Sequence, residues 1–317
     1  ERVGIAQRLR LLAHGGPAGV GQARHHGGQR LSQGLQRLGQ RVDAGVPYAQ
    51  QHHVGRAFRT VHRRPPQYKA LTRTEMAHRA SAQPTLARLL LLHGAGASVQ
   101  SAFFQQLIPL LTAAGIEVHA ANFAYMAKTM AGQRQVAPKA EKLVAELEAM
   151  IQSLSQSENG AALAAEQVPL WLAGKSLGGR VVSLYLAGAE VAPQVAGGLV
   201  FGYPLCPPAK AKDPVKAAQV TFLRSRFLQQ LKRPLLICQG SRDAFGAAAE
   251  LQKAGVGQAA PDSLPDFVPA TVLELALADH DFALPKSQAR QAAIAPDAAF
   301  VQAATAAAEF IRSQHAV

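Results

Sequence analysis

Cysteine is nearly absent: the 317 residues contain only Cys206 and Cys238, both in apolar stretches. Two such thiols build no disulfide framework and suit a reducing, cytoplasmic setting, where a buried cysteine behaves as a small hydrophobe. No Cys/His cluster has metal-ligand spacing, so no metal site is expected. Long apolar runs are missing too. Nothing approaches the roughly 20 residues that cross a bilayer, and the Leu-Leu-Ala at 11–13 is too short for a secretory signal. The phosphate-binding glycine patterns are incomplete. Gly174-Lys175-Ser176 imitates the end of a P-loop, but the required earlier glycine is Pro169. Gly94-Ala95-Gly96 lacks its third glycine, the position being Val99. The expectation is a chain with no cofactor and no membrane partner.

Acidic residues are scarce in one region. Residues 1–75 carry 13 Lys+Arg against 3 Asp+Glu, whereas residues 76–317 carry 20 against 17. The net charge of +13 therefore sits almost wholly in the first quarter. That quarter is rich in Arg, Gln, Gly and His, has no sustained period of two or 3.6, and cannot bury enough apolar surface to offset its ordering entropy. Residues 1–80 are expected to be a disordered basic segment. Its only aromatic residues, Tyr48, Phe58 and Tyr68, are too few for a stacking platform. A phosphate-neutralising tail and a solvated linker are two readings of it. A third is that it is not native: the chain opens on Glu1, its first methionine is Met76, and the composition resembles translated non-coding or out-of-frame GC-rich sequence. Nucleic acid would be met only through residues 1–75.

From residue 81 to 317 the pattern is that of one globular domain. Predominantly apolar runs at 86–92 and 170–173 read as strands buried on both faces, with further strands at 117–123, 198–203, 234–239 and 271–277. Amphipathic helices are expected over 100–114, 138–154, the segment after Ser176, 222–231 and 297–313, with a short one at Leu251. Residues 155–166 read as a polar loop, and 204–220 as the only connection long enough for a small lid. Strands alternating with helices predict an α/β fold: a doubly wound, mainly parallel sheet of about six strands with helices on both faces.

Three strand ends carry chemistry. Gly174-Lys175-Ser176-Leu177-Gly178 lies between a strand and a helix, which is the context of a nucleophile elbow. The glycines flank a strained turn that has no room for Cβ atoms, and the helix start directs N–H groups at any anion formed there. The strand ending at Gln239 leads to Asp243, and the last strand leads to His280. Serine, then aspartate, then histidine is the α/β-hydrolase order. A serine hydroxyl needs an imidazole to take its proton, and a carboxylate to fix the imidazole tautomer. Asp279 and Asp281 are rivals for the acid, although adjacent side chains point apart. Oxyanion donors are expected at the N–H groups of Leu177 and Ala95, with His93 structural and Lys175 the variable residue of the turn.

With these residues assembled, the chain from about Ala87 onward resembles the small α/β-hydrolases of the testis-expressed protein 30 and NSL-complex subunit 3 group, related to dienelactone-hydrolase-like enzymes. The resemblance rests on Leu-Leu-His-Gly-Ala-Gly, Ala-Gly-Lys-Ser-Leu-Gly-Gly-Arg, Gly-Tyr-Pro-Leu-Cys-Pro-Pro, Gln-Gly-Ser-Arg-Asp and Asp-His-Asp-Phe. It implies the hydrolase fold, with Ser176, Asp243 and His280 at the triad positions. It also implies a histidine where this chain has Cys206 and a His-Leu pair where it has Phe227-Leu228, departures that touch the substrate wall. No substrate carries over. The resulting expectation is a serine hydrolase of a small ester or thioester working through an acyl-enzyme. The alternative is a non-catalytic hydrolase-fold scaffold, since fold does not fix function.

Overall fold

A computed structural model of the chain describes residues 84–156, 167–258 and 267–315. The expectation of disorder for residues 1–80, and most of the predicted loop at 155–166, lie outside the described residues. Among the described residues there are six strands, β1 (Ala87–Leu92), β2 (Ile116–Ala121), β3 (Leu170–Lys175), β4 (Val195–Phe201), β5 (Leu235–Gly240) and β6 (Thr271–Leu275). They form one sheet in the order β2-β1-β3-β4-β5-β6, with every pair parallel.

Parallel strands need crossovers, and helices supply them. These are α1 (Ala102–Ala113), α2 (Ala124–Met130), α3 (Val144–Gln156), α4 (Leu177–Leu186), α5 (Pro208–Ala211), α6 (Pro214–Ser225), α7 (Ala248–Lys253), α8 (Lys286–Gln291) and α9 (Ala298–His315). The inner strands β1, β3, β4 and β5 are buried on both faces because both faces are covered. Leu89, Leu91, Trp171, Ala173, Leu236 and Cys238 point into one core with α1 and α9. Leu90, Leu92, Leu170, Leu172, Leu235 and Ile237 alternate into the other with α3 and α4. The thiol of Cys238 is pushed up to about 12 by burial, so it stays protonated there.

Several expected boundaries move. The helix placed at 138–154 is a 3-10 turn (Ala140–Lys142) followed by α3. The helix placed at 222–231 is instead α6, continued by a 3-10 turn at Arg226–Gln229. It starts early because Pro214 stands at its first turn and Asp213 caps it, accepting from the N–H groups of Val215 and Lys216. Most of the connection read as a lid is therefore helical. It is fastened below: the Tyr203 hydroxyl donates to the carbonyl of Arg224 at 2.7 Å, and the Arg224 guanidinium donates to that of Pro204. Among the described residues no helix is long and apolar enough to cross a membrane.

The order of the sheet locates the site. The chain runs outward from β1 to β2, then returns to lay β3 on the other side of β1. That reversal leaves a crevice at the carboxyl ends of β1 and β3, the place where open α/β sheets bind ligands. Leu107 of α1 is wholly buried against this framework. Leu107→Ala is expected to cost about 2–5 kcal/mol of stability, read from urea unfolding followed by circular dichroism.

Candidate active site

β3 ends at Lys175 and α4 begins at Leu177, so Ser176 alone makes the turn. Its backbone adopts φ 51° and ψ −109°, a left-handed conformation that serine rarely takes. The surroundings enforce it. A Cβ on Gly174 would stand 2.1 Å from the carbonyl carbon of Gly178, and one on Gly178 would stand 2.7 Å from the carbonyl oxygen of His93. The backbone contacts themselves exclude any larger residue. The Ser176 N–H donates to the carbonyl of Phe201 at 3.2 Å and that of Gly178 to His93 at 3.1 Å, pinning the turn to β4 on one side and the end of β1 on the other.

Beyond β5 and β6, Asp243 and His280 meet. The Asp243 Oδ2 lies 2.7 Å from His280 Nδ1. A carboxylate only accepts, so this contact places the imidazole proton on Nδ1 and leaves Nε2 with a free lone pair. The carboxylate is itself held: Oδ1 accepts from the Phe245 N–H at 2.8 Å, and Oδ2 accepts from Gln239 Nε2 at 2.9 Å. Gln239, fully buried, also accepts from the Tyr203 N–H at 2.6 Å, so one amide joins the ends of β4 and β5 to the acid. The Phe245 ring lies against the imidazole with centroids 4.4 Å apart. The rivals are otherwise engaged. Asp279 accepts from the N–H groups of Asp281 and Ala283, and Asp281 pairs with Lys175.

Ser176 and His280 both abut one peptide. The Phe201 carbonyl receives the Ser176 N–H, and Gly202, next in the chain with φ 72°, lies so close to the imidazole that a Cβ there would stand 3.2 Å from Nδ1. Gly94 closes the third side, since a Cβ on it would stand 3.4 Å from that of Ser176.

The loop after β1 holds Ala95, and its carbonyls are fixed by two side chains. The Phe123 N–H donates to His93 Nε2 at 3.0 Å, so the proton of His93 is on Nδ1, which donates to the Gly94 carbonyl at 2.6 Å. The Tyr125 hydroxyl lies 3.1 Å from the Gly94 carbonyl and 3.2 Å from that of Ala95. Burial, with Glu146 nearby, pushes the Tyr125 phenol up to about 12, so it remains a donor. In a planar trans peptide the Ala95 N–H points opposite the Gly94 carbonyl. Two donors on that carbonyl thus set the direction of the Ala95 N–H. Leu177, the first residue of α4, carries the other expected N–H.

Two residues carry more than the sequence reading assigned to them. His93 is structural as expected, but what it shapes is the Ala95 peptide. Lys175 is not a free position of the turn: it is buried, and its ammonium donates to the His280 carbonyl at 2.6 Å. The sequence gives no sign of what Gln239 and Tyr125 hold, because a glutamine at a strand end and a lone tyrosine carry no signal of their partners. Beside the histidine loop, Asp281, Phe282, Leu284, Ile294 and Phe300 border a cleft of about 490 Å3.

Burial lowers the pKa of His93 below the ordinary imidazole value, against the smaller opposing effect of its bond to Gly94. A proton on Nε2 would also face the Phe123 N–H, donor against donor. The unfolded chain therefore takes up this proton more readily. The stability contributed by neutral His93 is full above about pH 6.5 and is lost as pH falls from there through the lowered folded value. Melting temperatures measured between roughly pH 7.5 and pH 5 are expected to fall in the wild type and to fall less steeply in His93→Gln.

Solved structures of similar path include dienelactone hydrolase from Anabaena variabilis, 16% identical over 72% of this chain and 86% of that one, with a TM-score of 0.48. Est1E from Butyrivibrio proteoclasticus is 14% identical over 73% and 89%, with a TM-score of 0.47. An esterase domain from Rhodothermus marinus is 22% identical over 74% and 89%, with a TM-score of 0.43. No curated protein matches the chain. Residues 85–312 match the family model of the alpha/beta hydrolase domain, from the first residues before β1 into α9, and the chain belongs to the α/β-hydrolase family.

Proposed function

We propose that this protein is a serine hydrolase that cleaves a small carboxylic ester or thioester through an acyl-enzyme. Ser176 is the nucleophile, His280 the base and then the acid, and Asp243 the residue that orients it. The N–H groups of Leu177 and Ala95 receive the oxyanion. The observation that carries this reading is the 2.7 Å bond between Asp243 and His280, with the carboxylate held from two further sides. It leaves His280 Nε2 as the one ring position able to take a proton.

The steps follow from these placements. His280 Nε2 removes the Ser176 hydroxyl proton as Oγ bonds to the substrate carbonyl carbon, and the carbonyl oxygen gains its charge between the two N–H groups. The carbon–oxygen or carbon–sulfur bond then breaks, and the leaving group departs with the proton from His280. Water repeats the sequence on the acyl-serine and releases the acid. Asp243 stays ionised and stabilises the imidazolium that forms twice.

The proposal extends to finer points. The motifs shared with the testis-expressed protein 30 and NSL-complex subunit 3 group support a place near that branch of the family. The free cysteines Cys206 and Cys238 suit a reducing, cytoplasmic setting. Residues 81–317 are taken as the whole catalytic unit, so a chain started at Met76 is expected to turn over nitrophenyl esters at the rate of the full chain.

A fluorophosphonate probe should label the wild type and leave folded Ser176→Ala unlabelled. Absence of Ser176-dependent labelling in folded wild type would defeat the enzyme reading in favour of a binding protein. Asp243→Asn, which presents an amide where the imidazole N–H needs an acceptor, is expected to lower kcat on the order of 10⁴-fold with its fold intact.

A further inference from the structure

Lys175 lies next to the proposed nucleophile, at the position of the elbow motif that tolerates many residues, and its side chain is only 6% exposed. Its stem passes beneath the loop after β1, where a Cβ on Gly94 would stand 3.7 Å from Lys175 Cγ. Its ammonium rests 5.1 Å from the centre of the Phe103 ring on α1. Beyond that ring it reaches the histidine loop twice: it donates to the His280 carbonyl at 2.6 Å and lies 3.2 Å from Asp281 Oδ1.

A buried cation is costly unless paired, and an unbranched apolar chain would fill the same space without that cost. The ammonium contacts here join directly two pieces that the backbone links only through β4 and β5. The histidine loop follows β6, whereas Ser176 follows β3, and two strands separate them in the sheet. The imidazole ring is anchored by Asp243, from the end of β5. The backbone of the same residue is anchored by Lys175, from the end of β3. Phe103, under the ammonium, also packs on Phe282 with centroids 5.2 Å apart, so α1 supports both ends of the link.

We infer that Lys175 is a positioning residue: its ammonium ties the loop carrying His280 to the turn carrying Ser176, and so fixes the placement of the imidazole relative to the hydroxyl. The inference rests on the hydrolase reading for its effect on turnover, but the tether is a property of the folded chain. Burial lowers the pKa of Lys175, while the facing carboxylates of Asp281, Asp243 and Asp279 oppose that shift and favour the charged form.

The test compares full-length wild type with Lys175→Met, Lys175→Arg and Lys175→Gln, each first checked for folding by circular dichroism. Two readouts are used: kcat and KM on p-nitrophenyl acetate, and the low-field NMR resonance of the His280 Nδ1 proton in 15N-histidine-labelled protein, assigned by its loss in His280→Gln. Lys175→Met is expected to lower kcat about 10- to 100-fold, the scale of a small misplacement of a reacting group, with KM changed less than about threefold. Its Nδ1 resonance should broaden, and Lys175→Arg should recover part of both. A folded Lys175→Met with unchanged kcat in an active wild-type background overturns the inference, whatever its melting temperature. Should Lys175→Met not fold, Lys175→Gln decides, because its amide keeps a polar end but is too short to reach the His280 carbonyl. A fall in kcat with a broadened resonance supports the tether, and no change in either overturns it. If wild type neither turns over ester nor labels at Ser176, the hydrolase reading fails by itself, and the dependence of the His280 resonance on Lys175 still decides the tether.

Discussion

At the junction of β3 and α4 the backbone passes so close to itself that Gly174 faces Gly178 and Gly179 with no space for a methyl group. This crowding forces Ser176 into its left-handed conformation and turns the chain from sheet to helix within one residue. The neighbouring pieces are built to that turn. β4 receives the Ser176 N–H, the end of β1 receives the Gly178 N–H, and Gly202 allows the imidazole to come close. A looser junction would leave the serine inside the sheet or along the helix.

Around this turn the interior is unusually polar. His93, Lys175, Gln239 and Asp243 are all buried, and each is satisfied by named partners. Buried polar groups destabilise a fold unless every bond is made, so a satisfied network permits few arrangements. The network spans the carboxyl ends of β1, β3, β4 and β5 and the loop after β6. It therefore works as a set of struts between elements that share no local sequence. The apolar cores on the two faces of the sheet supply the stability that such an arrangement draws on.

The strands are legible because a sheet covered on both faces demands strongly apolar runs, such as those at 86–92, interrupted only by Arg88, and 170–173. The helices are less so. α2 is a single short segment with no sustained apolar period, and α8 (Lys-Ser-Gln-Ala-Arg-Gln) has only Ala289 buried, so neither offered an apolar stripe to read. α6 reads late from the sequence because the apolar pair Phe227-Leu228, of which Leu228 is buried, lies in the 3-10 turn that follows it, while its start is marked by Asp213 and Pro214. The roles of His93 and Lys175 are hidden in the sequence because their partners lie 30 and 105 residues away.

The sequence by itself determined the alternation of strands and helices, the serine set between glycines, and the order of serine, aspartate and histidine. These follow from local rules: the apolar run of a strand covered on both faces, the sterics of a one-residue turn, and the residue types that end strands. Only the tertiary structure decided that Asp243 rather than Asp279 or Asp281 meets the imidazole, that His93 sets the Ala95 peptide, and that Lys175 reaches across to His280. Those pairings depend on the strand order β2-β1-β3-β4-β5-β6, which brings distant strand ends to one edge of the sheet. Hydrogen bonds are selected by distance in space, and distance in the chain does not record it.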